Sequence, residues 1–452
     1  MIFAAAVFLL MLAYVVYRYP PGTSGVSPLF YGVPVLGAAV CIGLLKTPEV
    51  VRINVALIVV SAAFALYGAE SFLTLTSGAA QGTTGATDRS FDRRSKFEVV
   101  QDLRRQGTSA YPAALPSFFM RSDSPRSLLP LGGVANVTTV LCNELGEYAV
   151  YQSDEHGFNN PAGLWSSDGL DVAVVGDSFT HGSCVPPGSD FASRIRERWP
   201  RTLSLGMSDN GPLLELAAVR EYLPAFQPET VLWMYFEGND LSDLATEMEN
   251  PRLRRYLEDG FRQGLVGKQS QIDSSLVSWI EAEARAQTDT VVAAGQGGES
   301  AGAGRLRKIL TLQNVRRSLN LVANPPLSDA GCDLAAFQRV LSEAKETVTS
   351  WGGRLYFVYL PSWGRYHSSL NKCEELRDEV LASVARLGIP IIDLHSTFAS
   401  RRDRSALFAQ GPMYATHYNV DGYSLVARTV LDSLPGARST PNVSPLSSHG
   451  SR

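Results

Sequence analysis

From Asp171 onward, short apolar runs alternate with amphipathic ones, and this rhythm constrains the fold of the 452-residue chain more than any other feature. "DVAVVGDS", "TLSLGM", "ETVLWMYFEGND", "RLYFVYLP" and "IPIIDLH" read as strands by length and β-branched or aromatic content. Between them, "FASRIRERW", "LLELAAVREYLPAF", "DLAAFQRVLSEAKETVTSWGG" and "CEELRDEVLASVARLG" read as helices, the last two closed by glycine. Strands that alternate with helices predict a parallel sheet covered on both faces. In such a sheet, functional groups collect beyond the carboxyl ends of the strands.

Three of those ends carry polar blocks unlike a core: "GDSFTHG", "LGMSDNGP" and "EGND". A fourth, "THYNVDGY", comes late and leads into the apolar helix "SLVARTVLDSL". Ser178 ends the first block's strand, where a turn into a helix presents both its side chain and its N–H. A serine hydroxyl attacks only when a base takes its proton. Of the six histidines, His417, directly before a helix and beside Asn419 and Gly422, is the best base. Acyl transfer also needs donors aimed at the developing oxyanion, and the amide of Asn239 suits that task. On the plainer reading, Asp177 and Ser178 cap a helix, Asn239 is a turn residue and His417 bonds backbone.

The order Gly-Asp-Ser, a glycine-bearing second block, "EGND" and a late His-x-Asn resembles the SGNH (GDSL) hydrolase superfamily. The resemblance spans 176–422 and implies a flavodoxin-like three-layer α/β fold. It implies Ser178 as nucleophile, His417 as general base, and an oxyanion hole from Ser178, Asn239 and the second block. Family members are esterases, lipases, thioesterases and polysaccharide deacetylases; membrane-anchored bacterial relatives add or remove acetyl groups on cell-surface polysaccharides. Two departures stand out. Aligned on the family's second block, the glycine position is Asp209, with Gly206 and Gly211 as other counterparts. The aspartate usual three residues before the histidine is Tyr414 here. Asp393, at the end of "IPIID", is a candidate orienting acid; the preferred reading is a Ser178–His417 dyad with Asp393 as a cap.

The front of the chain is apolar. Residues 2–17, 24–45 and 53–69 carry no charge except in their flanks, and read as about three transmembrane helices. Lys46 and Arg52 place the second loop in the cytoplasm. The rest then lies outside it, in the periplasm beyond a cell inner membrane. Four of five cysteines fall in that exported part. Sequence proximity favours Cys142–Cys184 and Cys332–Cys373 as disulfides, with free buried thiols as the alternative. No zinc spacing, nucleotide or flavin motif is visible, so neither metal nor cofactor is expected. A net charge of −4 gives no case for nucleic acid.

The expected organisation is an anchor over 1–75, a linker and N-terminal part over 76–170, an SGNH-like domain over 171–434 and a disordered tail over 435–452. A short helix is expected in "RRSKFEVVQDLRRQG". A charged helical insertion over 241–331 reads equally as a lid or as packing. "DEHGFNNP" reads as a polar turn. Trp363 and Tyr366 of "YLPSWGRY" read as packing or as a sugar platform. The function expected is a membrane-anchored serine esterase or acyltransferase acting on an ester, with a cell-surface glycan as candidate substrate. The rival is a silent SGNH-like module that binds glycan or scaffolds partners.

Overall fold

The computed structural model describes residues 2–18, 29–76, 91–120, 128–166, 169–296, 309–312, 315, 331–367, 370–409 and 417–435. Tyr414, most of the 76–90 linker and the tail beyond 435 lie outside them. The chain forms two compact units, Met1–Phe91 with Glu281–Gly331, and Asp92–Ile280 with Cys332–Arg452.

The first unit contains the apolar helices Ile2–Arg18, Leu29–Leu44 and Glu49–Thr76. Only Glu49–Phe72, 24 residues with mean hydropathy 2.1, is long and apolar enough to cross a membrane among the described residues. Three spans were expected, and the other two helices fall short. At 1.5 Å per residue, helices of 17 and 16 residues reach about 24–26 Å, less than a hydrocarbon core of about 30 Å. Pro34 lies inside the second.

In the second unit, five strands form one parallel sheet: β4 (Val172–Gly176), β5 (Thr202–Ser204), β6 (Thr230–Phe236), β7 (Arg354–Leu360) and β8 (Ile391–Asp393). Their order, β5-β4-β6-β7-β8, is that of a doubly wound flavodoxin-type sheet. These are the five strands read from the sequence. Because successive side chains point to opposite faces, each strand feeds two cores. Ala173, Val175, Val231, Trp233, Phe357 and Tyr359 pack with the helices Pro212–Tyr222 and Leu334–Thr349. Val172, Val174, Leu232, Met234 and Val358 pack with Phe191–Arg196 and Val420–Ser433.

A second sheet precedes the first. It contains β1 (Ala110–Pro112), β2 (Thr138–Val140) and β3 (Val150–Gln152), with β1 parallel and β3 antiparallel to β2. The helix Lys96–Arg105 packs Val99 and Val100 against it and opens with a capping box between Ser95 and Glu98. The start of the 241–331 segment is a packing element: Leu253, Tyr256, Leu265, Ile272, Leu276 and Ile280 are buried in the main core. The residues expected to be flexible there, 293–304, fall mostly outside the described ones.

Candidate active site

The strand β4 ends at Gly176 because the chain must turn sharply there. A Cβ on Gly176 would lie 2.2 Å from Thr180 Oγ1 and 3.0 Å from the Met234 carbonyl oxygen. Asp177 is buried, and its Oδ1 accepts the Phe179 N–H at 2.9 Å, capping the short helix Ser178–His181. Burial pushes the Asp177 carboxyl up to about 6, against the pull of the Phe179 N–H and of His417. Asp177 is therefore a cap, whereas Ser178 is the first helical residue, half-buried, with its hydroxyl turned to a histidine.

That histidine is His417. Its Nε2 lies 2.9 Å from Ser178 Oγ. Its backbone is fixed by the Ala409 N–H, which donates to the His417 carbonyl at 2.9 Å, and by the bridge between Phe408 and Tyr418. The next helix begins at once, with Asn419 accepting the N–H groups of Asp421 and Gly422. The Phe179 ring packs 5.0 Å from the imidazole.

The other imidazole nitrogen meets a carboxylate that the motif reading missed. His417 Nδ1 lies 2.7 Å from Glu144 Oε1. Glu144 sits on the hairpin loop between β2 and β3. Asn143 shapes that loop by accepting the Gly146 N–H at 2.9 Å and donating to the Asp92 carbonyl at 3.0 Å. Asp393, the candidate acid from the sequence, is elsewhere. It accepts the His395 N–H at 2.9 Å as a helix cap and pairs with Arg377. Its position at a strand end suited it to cap the next helix, and a guanidinium claims the remaining oxygen.

The three donors expected for the oxyanion are held as follows. The Ser178 N–H, at the first helical position, has no protein partner among the described residues. The Asn239 amide is held by its Nδ2, which donates to Asp243 Oδ2 at 2.6 Å and leaves a second N–H for an acceptor. Asp209 has φ of 62°, the left-handed conformation that normally calls for glycine. Its backbone thus follows the glycine path although its side chain does not. The rival glycines have other work. A Cβ on Gly206 would fall 2.4 Å from the Thr180 carbonyl carbon, so Gly206 lets the second block pass against the first. The Gly211 N–H is spent on Glu247 Oε1 at 2.6 Å.

A polar layer supports this turn. His181 is fully buried, with Nε2 2.7 Å from Tyr151 Oη, and its Nδ1 accepts the Ser208 N–H at 3.1 Å. Burial drives its pKa down to about 3, with the nearby Lys96 acting in the same direction, so it stays neutral. Glu215 is a further buried carboxyl. Burial first, then repulsion from Asp177, Glu247 and Asp243, raises Glu215 well above its ordinary value. Neither of its oxygens has a hydrogen-bond partner among the described residues.

The remaining candidates are structural. Asp154 of "DEHGFNNP" accepts the His156 and Phe158 N–H groups at 2.8 and 2.9 Å, the expected polar turn. Trp363 stacks on His367 at 3.5 Å and Tyr366 on His395 at 5.6 Å, so both rings are packed. Their loop is tied to the third block by Arg365, whose Nε donates to Glu237 at 2.6 and 2.8 Å. The sulfur atoms of Cys142 and Cys184, and of Cys332 and Cys373, are bonded, with Cα separations of 5.1 and 5.5 Å. Glu144, Cys184 and His417 offer ligand atoms within 4.8 Å of one another, but the Cys184 sulfur is committed to its bridge and is no thiolate ligand.

No protein-family model and no curated protein sequence matches the chain. Among solved structures, it is similar to a member of the lipolytic protein G-D-S-L family from Veillonella parvula. That match has 13% identity and a TM-score of 0.30, covering 58% of this chain and 97% of the other. A lipase/acylhydrolase from Enterococcus faecalis matches at 11% identity and TM-score 0.31, over 58% and 93% of the two chains. An acetyl xylan esterase, AlAXEase, matches at 10% identity and TM-score 0.33, over 58% and 98%.

Proposed function

We propose that this chain is a serine hydrolase of SGNH type that cleaves or transfers the acyl group of an ester. The single observation that carries the reading is the unbroken path Ser178 Oγ–His417 Nε2, 2.9 Å, then His417 Nδ1–Glu144 Oε1, 2.7 Å. His417 takes the Ser178 proton as the oxygen attacks the ester carbonyl. Glu144 holds the imidazole in the tautomer that presents a free Nε2 and balances the imidazolium that forms. The N–H groups of Ser178 and Asp209 and the Asn239 amide receive the oxyanion. His417 then protonates the leaving alcohol, and water or an acceptor hydroxyl takes the acyl group from Ser178 with His417 again as base. A silent binding module has no use for a serine, a base and an acid aligned in this order.

The finer reading is an enzyme held at a membrane by the Glu49–Phe72 helix, with its hydrolase domain outside the cytoplasm and the acetyl esters of a surface glycan as substrate. The two disulfides support an oxidising compartment. Alkaline phosphatase fused after residue 85 should be active if this topology holds, and inactive if the domain is cytoplasmic. For the chemistry, a fluorophosphonate should label the protein and S178A should abolish labelling with the fold unchanged. Labelling that persists in S178A refutes the assignment.

A further inference from the structure

The acid of the proposed triad is far from its serine in sequence but covalently close in space. Cys142 lies two residues before Glu144, and its partner Cys184 lies six residues after Ser178. The bridge therefore fastens the β2–β3 loop to the segment that leaves the nucleophile. Its Cys184 sulfur lies within 4.8 Å of the ligand atoms of both Glu144 and His417. Cys184 is 4% exposed, so the bridge is buried at that end. The loop's own hydrogen bonds, from the Ala149 N–H to the Cys142 carbonyl at 2.7 Å and between Asp92 and both Asn143 and Gly146, do not run to the segment around Ser178.

From this geometry we propose that the Cys142–Cys184 disulfide is a positioning device for Glu144, so that the triad is complete only in the oxidised protein. The proposal rests on the serine-hydrolase reading above. A dithiol reductant would break the sulfur–sulfur bond, giving two cysteine thiols while the reductant becomes a disulfide; two electrons and two protons move to the protein. Nothing covalent then holds the Glu144 loop beside the nucleophile, while Ser178 and His417 keep their own anchors in β4 and in the Phe408–Tyr418 bridge. Reduction should therefore leave a Ser–His pair without its acid. Such an enzyme stays nearly silent during synthesis in a reducing compartment and becomes active on oxidation.

The test is a mutant cycle on the full-length chain in detergent, with p-nitrophenyl acetate as substrate. C142S/C184S and E144Q should each lower kcat by at least about 30-fold, the loss expected when an acid no longer balances the imidazolium. KM should change little, since no substrate contact is removed. Combined in one protein, E144Q should add less than threefold to the C142S/C184S loss, because the acid is already displaced. A bridge that only stabilises the fold would leave E144Q its full cost in that background, and this result overturns the proposal. If C142S/C184S does not fold, the same cycle is run on C332S/C373S protein with and without E144Q, before and after dithiol reduction, so that Cys142–Cys184 alone is opened, with circular dichroism as the check. Unfolding there too assigns the bridge to the fold and also overturns the proposal. S178A, run alongside, separates the two claims: activity that survives in S178A refutes the hydrolase reading, whereas a dead S178A with an additive cycle refutes only the tether.

Discussion

Replacing Glu144 with glutamine keeps the size of the side chain and removes its charge. Glu144 and His417 side chains are 24% and 17% exposed, so the contact is neither solvated nor sealed. Unit charges about 4 Å apart at an effective dielectric of about 20 attract by about 4 kcal/mol, and partial exposure reduces that to roughly 2–4 kcal/mol. This attraction exists only while His417 carries the Ser178 proton, so it lowers the barrier and not the ground state. At about 1.4 kcal/mol per decade, E144Q should lose about 30- to 1,000-fold in kcat with KM nearly unchanged. The amide also can present a donor to Nδ1 and favour the wrong tautomer, which pushes the loss to the upper end. The assay is hydrolysis of p-nitrophenyl acetate by purified wild-type and E144Q protein, with thermal melts to establish equal folding. An E144Q enzyme within threefold of wild type, equally folded, refutes the acid's role and returns the site to a dyad.

Other substitutions separate chemistry from architecture. N239A should lower kcat by about 10²–10³-fold, the cost of one oxyanion donor, and an unchanged kcat removes Asn239 from the site. D393N should leave turnover within twofold and stability within about 1 kcal/mol, because asparagine caps a helix as well as aspartate does and the Arg377 pair is partly exposed; a tenfold loss of turnover would restore Asp393 to the site. Glu215 retains a proton in the folded state that the unfolded chain gives up above its ordinary carboxylate pKa, so its share of stability is lost as pH rises from that value through the raised one. Melts of E215Q should accordingly fall less between pH 5 and pH 8 than those of wild type, and an identical pH slope would show that Glu215 is ionised when buried.

What the sequence revealed follows from how far each signal reaches along the chain. The parallel strands were legible because buried strands are continuous apolar runs, and three of them ended in residues that no core would hold. Ser178 and Asn239 stood out because they follow those ends, and His417 because it lies in a polar block directly before a helix. Asp209 was legible as a position, but that it would take a left-handed turn as a non-glycine residue was not. Glu144 was invisible to motif reasoning, lying 34 residues before the serine in a loop of ordinary composition. One signal could have found it. The pairing of Cys142 with Cys184, favoured by proximity alone, brings any residue near Cys142 to the segment after Ser178, and Glu144 is the acid beside it. Asp393 takes the preferred reading of a helix cap, and its candidacy as the acid arose because a carboxylate at a strand end serves a helix as well as a histidine. Of the three apolar runs, one forms a helix of spanning length among the described residues, because an uncharged run does not by itself fix where a helix begins and ends.

If Ser178, His417, Glu144 and the three donors form one reacting centre, a crystal structure of the protein after reaction with a fluorophosphonate should show it. Phosphorus should be bonded to Ser178 Oγ, with its oxyanion-like oxygen about 2.7–3.1 Å from the N–H groups of Ser178 and Asp209 and from Asn239 Nδ2, and Glu144 still against His417 Nδ1. An adduct on another residue, or a phosphonyl oxygen that points away from those three donors into solvent, would contradict it.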